Sequence, residues 1–195
     1  MRNSLRLDLS SGFYLMLAFM LLLIPLKWCF AFLLAGLFHE FCHFFAVRLC
    51  GGTVSAIHAG NYGATMEARE LSPYRALLCT LAGPLGALLL LPLARIFPRL
   101  ALCAAVQSCI NLLPLSGLDG GHALKYIFLL ALPRKTAEKL YCKLQKCFLW
   151  LFLALGIYSS FILKLGPLSL TIYVALILKT ANGKTPCKYR SLGVQ

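Results

Sequence analysis

The chain has 195 residues, of which 60% are hydrophobic and only 13% charged, and it carries a formal net charge of +13. Those values lie outside the range of a soluble domain of this size and point to an integral membrane protein. The excess of Lys and Arg reads as anchorage of the loops that flank membrane spans, and no nucleic-acid partner is expected.

At the N-terminus Arg2 and Arg6 precede an apolar run from Phe13 to Leu26. Pro25, Lys27 and Trp28 stand where a signal peptide would carry a small-residue cleavage pattern, so a retained span is expected. Apolar runs predict six transmembrane helices at residues 13–26, 28–47, 76–94, 100–116, 147–163 and 165–179. The first two are joined tightly at Lys27, and the last two around Lys164, Gly166 and Pro167. Between the second and third spans, residues 51–67 are too short and too Gly-rich for a helix, and their β-branched residues flank Gly60-Asn61-Tyr62-Gly63. This pattern predicts a short membrane-associated β-hairpin able to offer an edge strand to an extended peptide. Residues 122–146 read as a loop with a short apolar piece, residues 123–132, followed by a basic amphipathic stretch, Arg134 to Lys146, lying on anionic membrane lipid. The expected fold is thus an all-α polytopic membrane protein with about six spans and one hairpin, forming a single domain over residues 1–195.

Charge gives the orientation. With the N-terminus, residues 48–75, residues 122–146 and the C-terminal tail on one side, Lys and Arg divide 15 to 4, which puts both termini in the cytoplasm. The nine cysteines include no Cys-x-x-Cys pair and read as small buried hydrophobes.

Within the second span lies Phe38-His39-Glu40-Phe41-Cys42-His43, three ionisable side chains in an otherwise apolar run. Such groups are costly in a membrane and signal a functional site. On a helix His39 and His43 stand at i and i+4, so both imidazoles leave one face and can reach one metal ion. Glu40 lies one step round, suited to act on a water rather than to ligate. This is the His-Glu-x-x-His arrangement of zinc hydrolases, and its chance expectation in this composition is roughly two in a thousand.

A catalytic zinc site needs a third protein ligand and an open fourth position. The remaining candidates are Asp8, His58, Glu67, Glu70, Asp119, His122 and Glu138. Asp119 is the best placed. It ends the stretch from Asn111 through Pro114 and Gly117, where the helix must break, and Gly120-Gly121 follows it. A broken helix at membrane depth is tolerated where it is buried in protein or lines a wet cavity. His43 precedes Arg48 by five residues and Asp119 precedes Lys125 by six, so both motifs sit at a similar shallow depth on the cytoplasmic side. The roles of His58 and His122 stay open.

The two motifs together, His39-Glu40-x-x-His43 and Asn111-x-x-Pro114-x-x-x-Leu118-Asp119-Gly120-Gly121, resemble the site-2 protease family (peptidase family M50) of intramembrane zinc metalloproteases. Ala82-Gly83-Pro84 in the third span is also similar to that family. The absence of an inserted PDZ domain is most similar to the stage IV sporulation group that processes a pro-sigma factor. The resemblance implies zinc as cofactor, His39, His43 and Asp119 as its ligands, Glu40 as catalytic base, and Asn111 as a residue that holds the substrate backbone or stabilises the oxyanion. It also implies a transmembrane or membrane-tethered protein substrate and leaves an inhibitory membrane partner open; the hairpin reading adds Gly60, Asn61 and Gly63 as substrate-binding positions. Two departures stand out. Phe41-Cys42 replaces the frequent Leu-Gly inside the first motif, which makes Cys42 a competing metal ligand and loosens the expected packing. No nucleotide-sensing tail domain is seen, so ATP-linked regulation is not expected. The alternative from the residues alone is a catalytically silent metal-binding membrane protein or a metal permease.

Overall fold

Pro25 decides where the first two helices part. Lacking an N–H and crowding the residue before it, a proline pushes its predecessor to extended backbone, and Ile24 has φ −115° and ψ 134°. Helix α1 (Ser11–Leu23) therefore ends there and α2 (Leu26–Leu49) begins, with Lys27 inside its first turn rather than between the helices. The structure is a computed structural model that describes residues 6–60, 63–69, 71–161 and 174. The expected turn residues Asn61 and Tyr62, the span expected at 165–179 apart from Val174, and the C-terminal tail lie outside the described residues.

The described residues fall into two compact units that divide between Leu112 and Leu113. In the first, α2 stops in a tight two-glycine cap. The Gly51 N–H bonds the Arg48 carbonyl at 3.1 Å and the Gly52 N–H bonds the Val47 carbonyl at 2.9 Å. Gly51 takes φ 76°, the left-handed conformation this cap requires. The chain then enters β2 (Thr53–Gly60) and β3 (Gly63–Arg69), which pair antiparallel with Gly60 opposite Gly63.

The sheet is wider than a hairpin. A four-residue strand, β1 (Arg6–Leu9), pairs parallel to β2 with Arg6 opposite Ala56, so β2 is the central strand of three. The molecule is therefore mostly helical rather than all-α. Val54 of β2 is buried with Val47 of α2 and Cys79 of the next helix, which fastens the sheet to the helices.

Helix α3 (Pro73–Ala87) starts with Ser72 as N-cap and Pro73 in its first turn. It runs through Pro84 and tightens into a 3-10 segment, Leu88–Arg95. At 1.5 and 2.0 Å per residue the two pieces together reach roughly 38 Å, enough to cross a hydrocarbon core of about 30 Å. Helix α4 (Pro98–Asn111) closes the unit and packs against α2 and α3.

Helix α2 shows how this unit is built. Its buried positions Ala31, Ala35, His39 and Val47 fall on one i, i+4 stripe, whereas Phe30, Leu34, Leu37, Phe41 and Phe45 are exposed. Small residues face protein and large apolar ones face outward, the pattern of helices packed in lipid. Ala31 and Ala35 bring α2 close to Cys103 and Ala104 of α4. The Gln107 amide donates to the Phe32 carbonyl at 2.9 Å across that seam.

In the second unit, α5 (Asp119–Ala131) and α6 (Arg134–Phe161) replace what the sequence suggested was a loop and a separate span. Leu132, ahead of Pro133, is extended at φ −133° and ψ 154° and ends α5. From Arg134 to Leu155 neither Pro nor Gly interrupts the chain, so the basic stretch and the apolar run are one continuous 28-residue helix. Likewise the span expected at 100–116 ends at Asn111, because residues 112–118 leave the helix.

Among the described residues three helical stretches are long and apolar enough to cross a membrane: Leu26–Leu49, Pro73–Arg95 and Arg134–Ser160. With them the chain is an integral membrane protein.

Candidate metal centre

The helical spacing of His39 and His43 brings their rings together edge to face, centroids 4.7 Å apart at 82°. The two Nε2 atoms stand 3.1 Å apart. His43 Nδ1 lies 2.8 Å from the carbonyl oxygen of Cys79 on α3. A carbonyl only accepts, so that bond puts the proton on Nδ1 and leaves Nε2 with its lone pair. Holding the far nitrogen of a histidine in this way is how proteins orient an imidazole toward a metal. Two nitrogens at about 2.0–2.1 Å from one tetrahedral ion stand roughly 3.3–3.4 Å apart, close to the separation observed. The pair therefore fits a zinc-type ion.

His39 is buried, with 4% of its surface exposed. Asn111, the last residue of α4, places its amide nitrogen 3.4 Å from His39 Nε2. Glu40 is half-buried on the same turn of α2 as His39.

Room for the His43 ring comes from α3. A Cβ built at Gly83 would fall on the His43 imidazole, and one built at Gly86 would meet Cys42 Sγ at 2.5 Å and Cys42 Cβ at 2.8 Å. One face of α3 is thus stripped of side chains where α2 crosses it. The sequence carries a signal for this, two glycines three residues apart on an apolar helix, of which only Gly83 falls in the family-like Ala82-Gly83-Pro84. The same contact corrects the expectation of loose packing at Cys42. Its thiol fills the groove left by Gly86.

In the second unit, Asp119 opens α5 and is half-buried. The loop before it turns at Gly117, φ 85°, and Leu115 is fully buried. Gly121 packs so tightly on the Leu115 carbonyl that a Cβ there would overlap it. The side chain of Gln145 on α6 accepts from the Ser116 N–H at 2.7 Å and donates to the Pro114 carbonyl at 3.0 Å. Nothing in the sequence marks Gln145, which stands within the basic stretch Arg134 to Lys146.

The two remaining candidate histidines are His58 and His122. His58 is on the central strand, opposite Thr65 of β3 and Asp8 of β1. His122 is exposed in the first turn of α5, its N–H on the Leu118 carbonyl. His39 and His43 in the first unit and Asp119 in the second each carry a donor atom suited to a metal ion.

Comparison with known proteins gives the same direction. The solved structure described as Site-2 Protease from Methanocaldococcus jannaschii is similar to this chain at 16% identity with a TM-score of 0.69, covering 97% of this chain and 95% of that one. At that identity the likeness speaks for the fold alone. No match was found among curated proteins. Residues 13–113 match the family model described as Peptidase M50B-like. Since that match spans just over half of the sequence and contains the paired histidines, the chain belongs to the Peptidase M50B-like family.

Proposed function

We propose that the chain is an intramembrane zinc metalloendopeptidase that cleaves a membrane-embedded or membrane-tethered protein near the cytoplasmic face, a pro-sigma factor or sigma regulator being the substrate class. The observation that carries the reading is the pair of Nε2 atoms 3.1 Å apart with His43 held by the Cys79 carbonyl. His39, His43 and Asp119 hold the ion, and the donor set, two imidazoles and one carboxylate, suits zinc with a fourth position for water. The cytoplasmic placement of the termini rests on the 15 to 4 division of Lys and Arg.

When bound, zinc supplies Lewis acidity at the scissile carbonyl and lowers the pKa of the attacking water toward neutrality. Glu40 takes the proton of that water and passes it to the departing amine. Asn111, beside His39, offers an amide N–H to the oxygen on which charge develops.

A helical substrate hides its amides and must be extended before cleavage. Gly60 ends β2 and Gly63 begins β3, with Asn61 outside the described residues, and since β2 already has two neighbours, a substrate strand adds on the outer edge of β3. Basic residues along the first half of α6, including Lys135, Lys139, Lys143 and Lys146, engage anionic membrane lipid. No observation favours the permease or silent metal protein.

The test uses purified protein in detergent with a membrane-tethered candidate pro-protein. Glu40→Gln is expected to keep its zinc and lose cleavage, whereas full cleavage by that variant overturns the assignment.

A further inference from the structure

We propose that Gln145 is a positioning residue for the metal centre, setting the bearing of Asp119 through the loop that precedes it. The inference rests on the reading of Asp119 as a metal ligand.

Residues 112–118 are irregular backbone, and Leu115 and Leu118 within them are buried. Buried irregular backbone must find partners for its N–H and C=O groups. Two short bonds are internal, the Leu115 N–H to the Leu113 carbonyl at 2.7 Å and the Leu118 N–H to the Leu115 carbonyl at 3.1 Å. The Ser116 N–H and the Pro114 carbonyl are met by one side chain, that of Gln145, twenty-nine and thirty-one residues away.

Gln145 is only 5% exposed, and a buried primary amide is costly unless both ends are bonded. An N–H can only donate and a carbonyl only accept, so the chemistry fixes which end of the amide faces which group. The amide thus behaves like an added piece of backbone, pairing with the loop as a strand would. Neither a carboxylate nor an apolar residue can make both bonds.

Asp119 follows Ser116 by three residues, and Gly121 seats the first turn of α5 on the Leu115 carbonyl with no space to spare. The loop, the start of α5 and Gln145 on α6 therefore form one fixed block, and the direction in which Asp119 leaves it is set by where the loop is held. Ligand-orienting groups of this kind change metal affinity by about 10- to 100-fold when lost.

The experiment compares zinc retention in wild type, Gln145→Met, Gln145→Glu and Cys147→Ser, each purified in detergent. Chelator competition measures affinity, and the visible spectrum of cobalt-substituted protein reports ligand geometry. Gln145→Met keeps the volume and removes both bonds. Gln145→Glu keeps the acceptor for Ser116 and loses the donor to Pro114. Cys147 is exposed and serves as the control on the same helix. The expected result is about a 10- to 100-fold loss of zinc affinity with an altered cobalt spectrum in Gln145→Met, a smaller loss in Gln145→Glu, and no change in Cys147→Ser. Wild-type affinity and an unaltered spectrum in either Gln145 variant overturn the proposal, and Gln145→Glu decides it if Gln145→Met does not fold. Wild-type protein that binds no metal at all sinks the reading of the site instead, so the two failures are told apart.

Discussion

The imidazole of His43 occupies the space that a side chain at Gly83 would need. Helix α3 contributes to the site twice over at this point, once by the missing side chain and once by the Cys79 carbonyl that accepts the hydrogen bond from His43 Nδ1. Gly83→Ala is therefore expected to drive the ring off that carbonyl or push the two helices apart. Overpacking of this sort costs about 1–3 kcal/mol, but the larger consequence is for the chemistry. A displacement near 1 Å at a reacting group can lower a rate by about 100-fold. The check is zinc affinity together with kcat for Gly83→Ala, both of which should fall while the protein stays soluble in detergent.

Gly86 and Cys42 form a second such pair, with a different outcome. The thiol of Cys42 lies in the groove that Gly86 leaves open, so Gly86→Ala alone should destabilise the packing of α2 on α3. Adding Cys42→Gly to Gly86→Ala should restore it, because the bulk has only changed sides. Contacting residues show coupling of about 0.5–3 kcal/mol in such cycles. Thermal or denaturant unfolding of the two single variants and the double variant measures it. Cys42→Gly by itself should retain zinc. Loss of zinc in that variant would return Cys42 to the list of ligands.

The chemistry-bearing residues were legible because each is expensive in an apolar setting. His39, Glu40, His43 and Asp119 stand out from their neighbours by type and spacing, whereas Asn111 is marked only by the family resemblance. Features without a local signature are set by distant parts of the chain. Strand β1 has four residues and finds its partner, residues 56–59, some fifty positions later, so no local pattern announces it. The change from basic to apolar composition near Lys146 looked like a boundary, yet backbone continuity depends on the absence of helix breakers, and there are none until Gly156. Gln145 and Gly83 act through what touches them, and that is not written at their own positions.

Removal of the metal should abolish cleavage reversibly. A chelator that strips zinc is expected to reduce activity to background, and added zinc should restore it, with metal content followed by mass spectrometry. Binding to the folded state alone also stabilises it, by about 2.7 kcal/mol at a free concentration a hundred times Kd. The unfolding midpoint should accordingly rise with zinc in wild type and fail to rise in His39→Ala or His43→Ala. A midpoint that responds to zinc equally in those variants would place the ion elsewhere.

Asn111 is separable from the ligands by kinetics. It ends α4 with its amide nitrogen 3.4 Å from His39 Nε2, near enough to address a reacting carbonyl but chemically a poor zinc ligand. An amide that stabilises developing charge acts in the transition state and hardly in the ground state. Asn111→Ala should therefore lower kcat, by about 100- to 1,000-fold in the manner of other oxyanion donors, while zinc content stays at the wild-type level and KM changes little. Were Asn111 chiefly a grip on the substrate backbone, KM would rise and kcat would hold. Steady-state kinetics of Asn111→Ala and Asn111→Ser beside a zinc determination distinguish these outcomes, and a fall in zinc content would instead assign Asn111 to supporting His39.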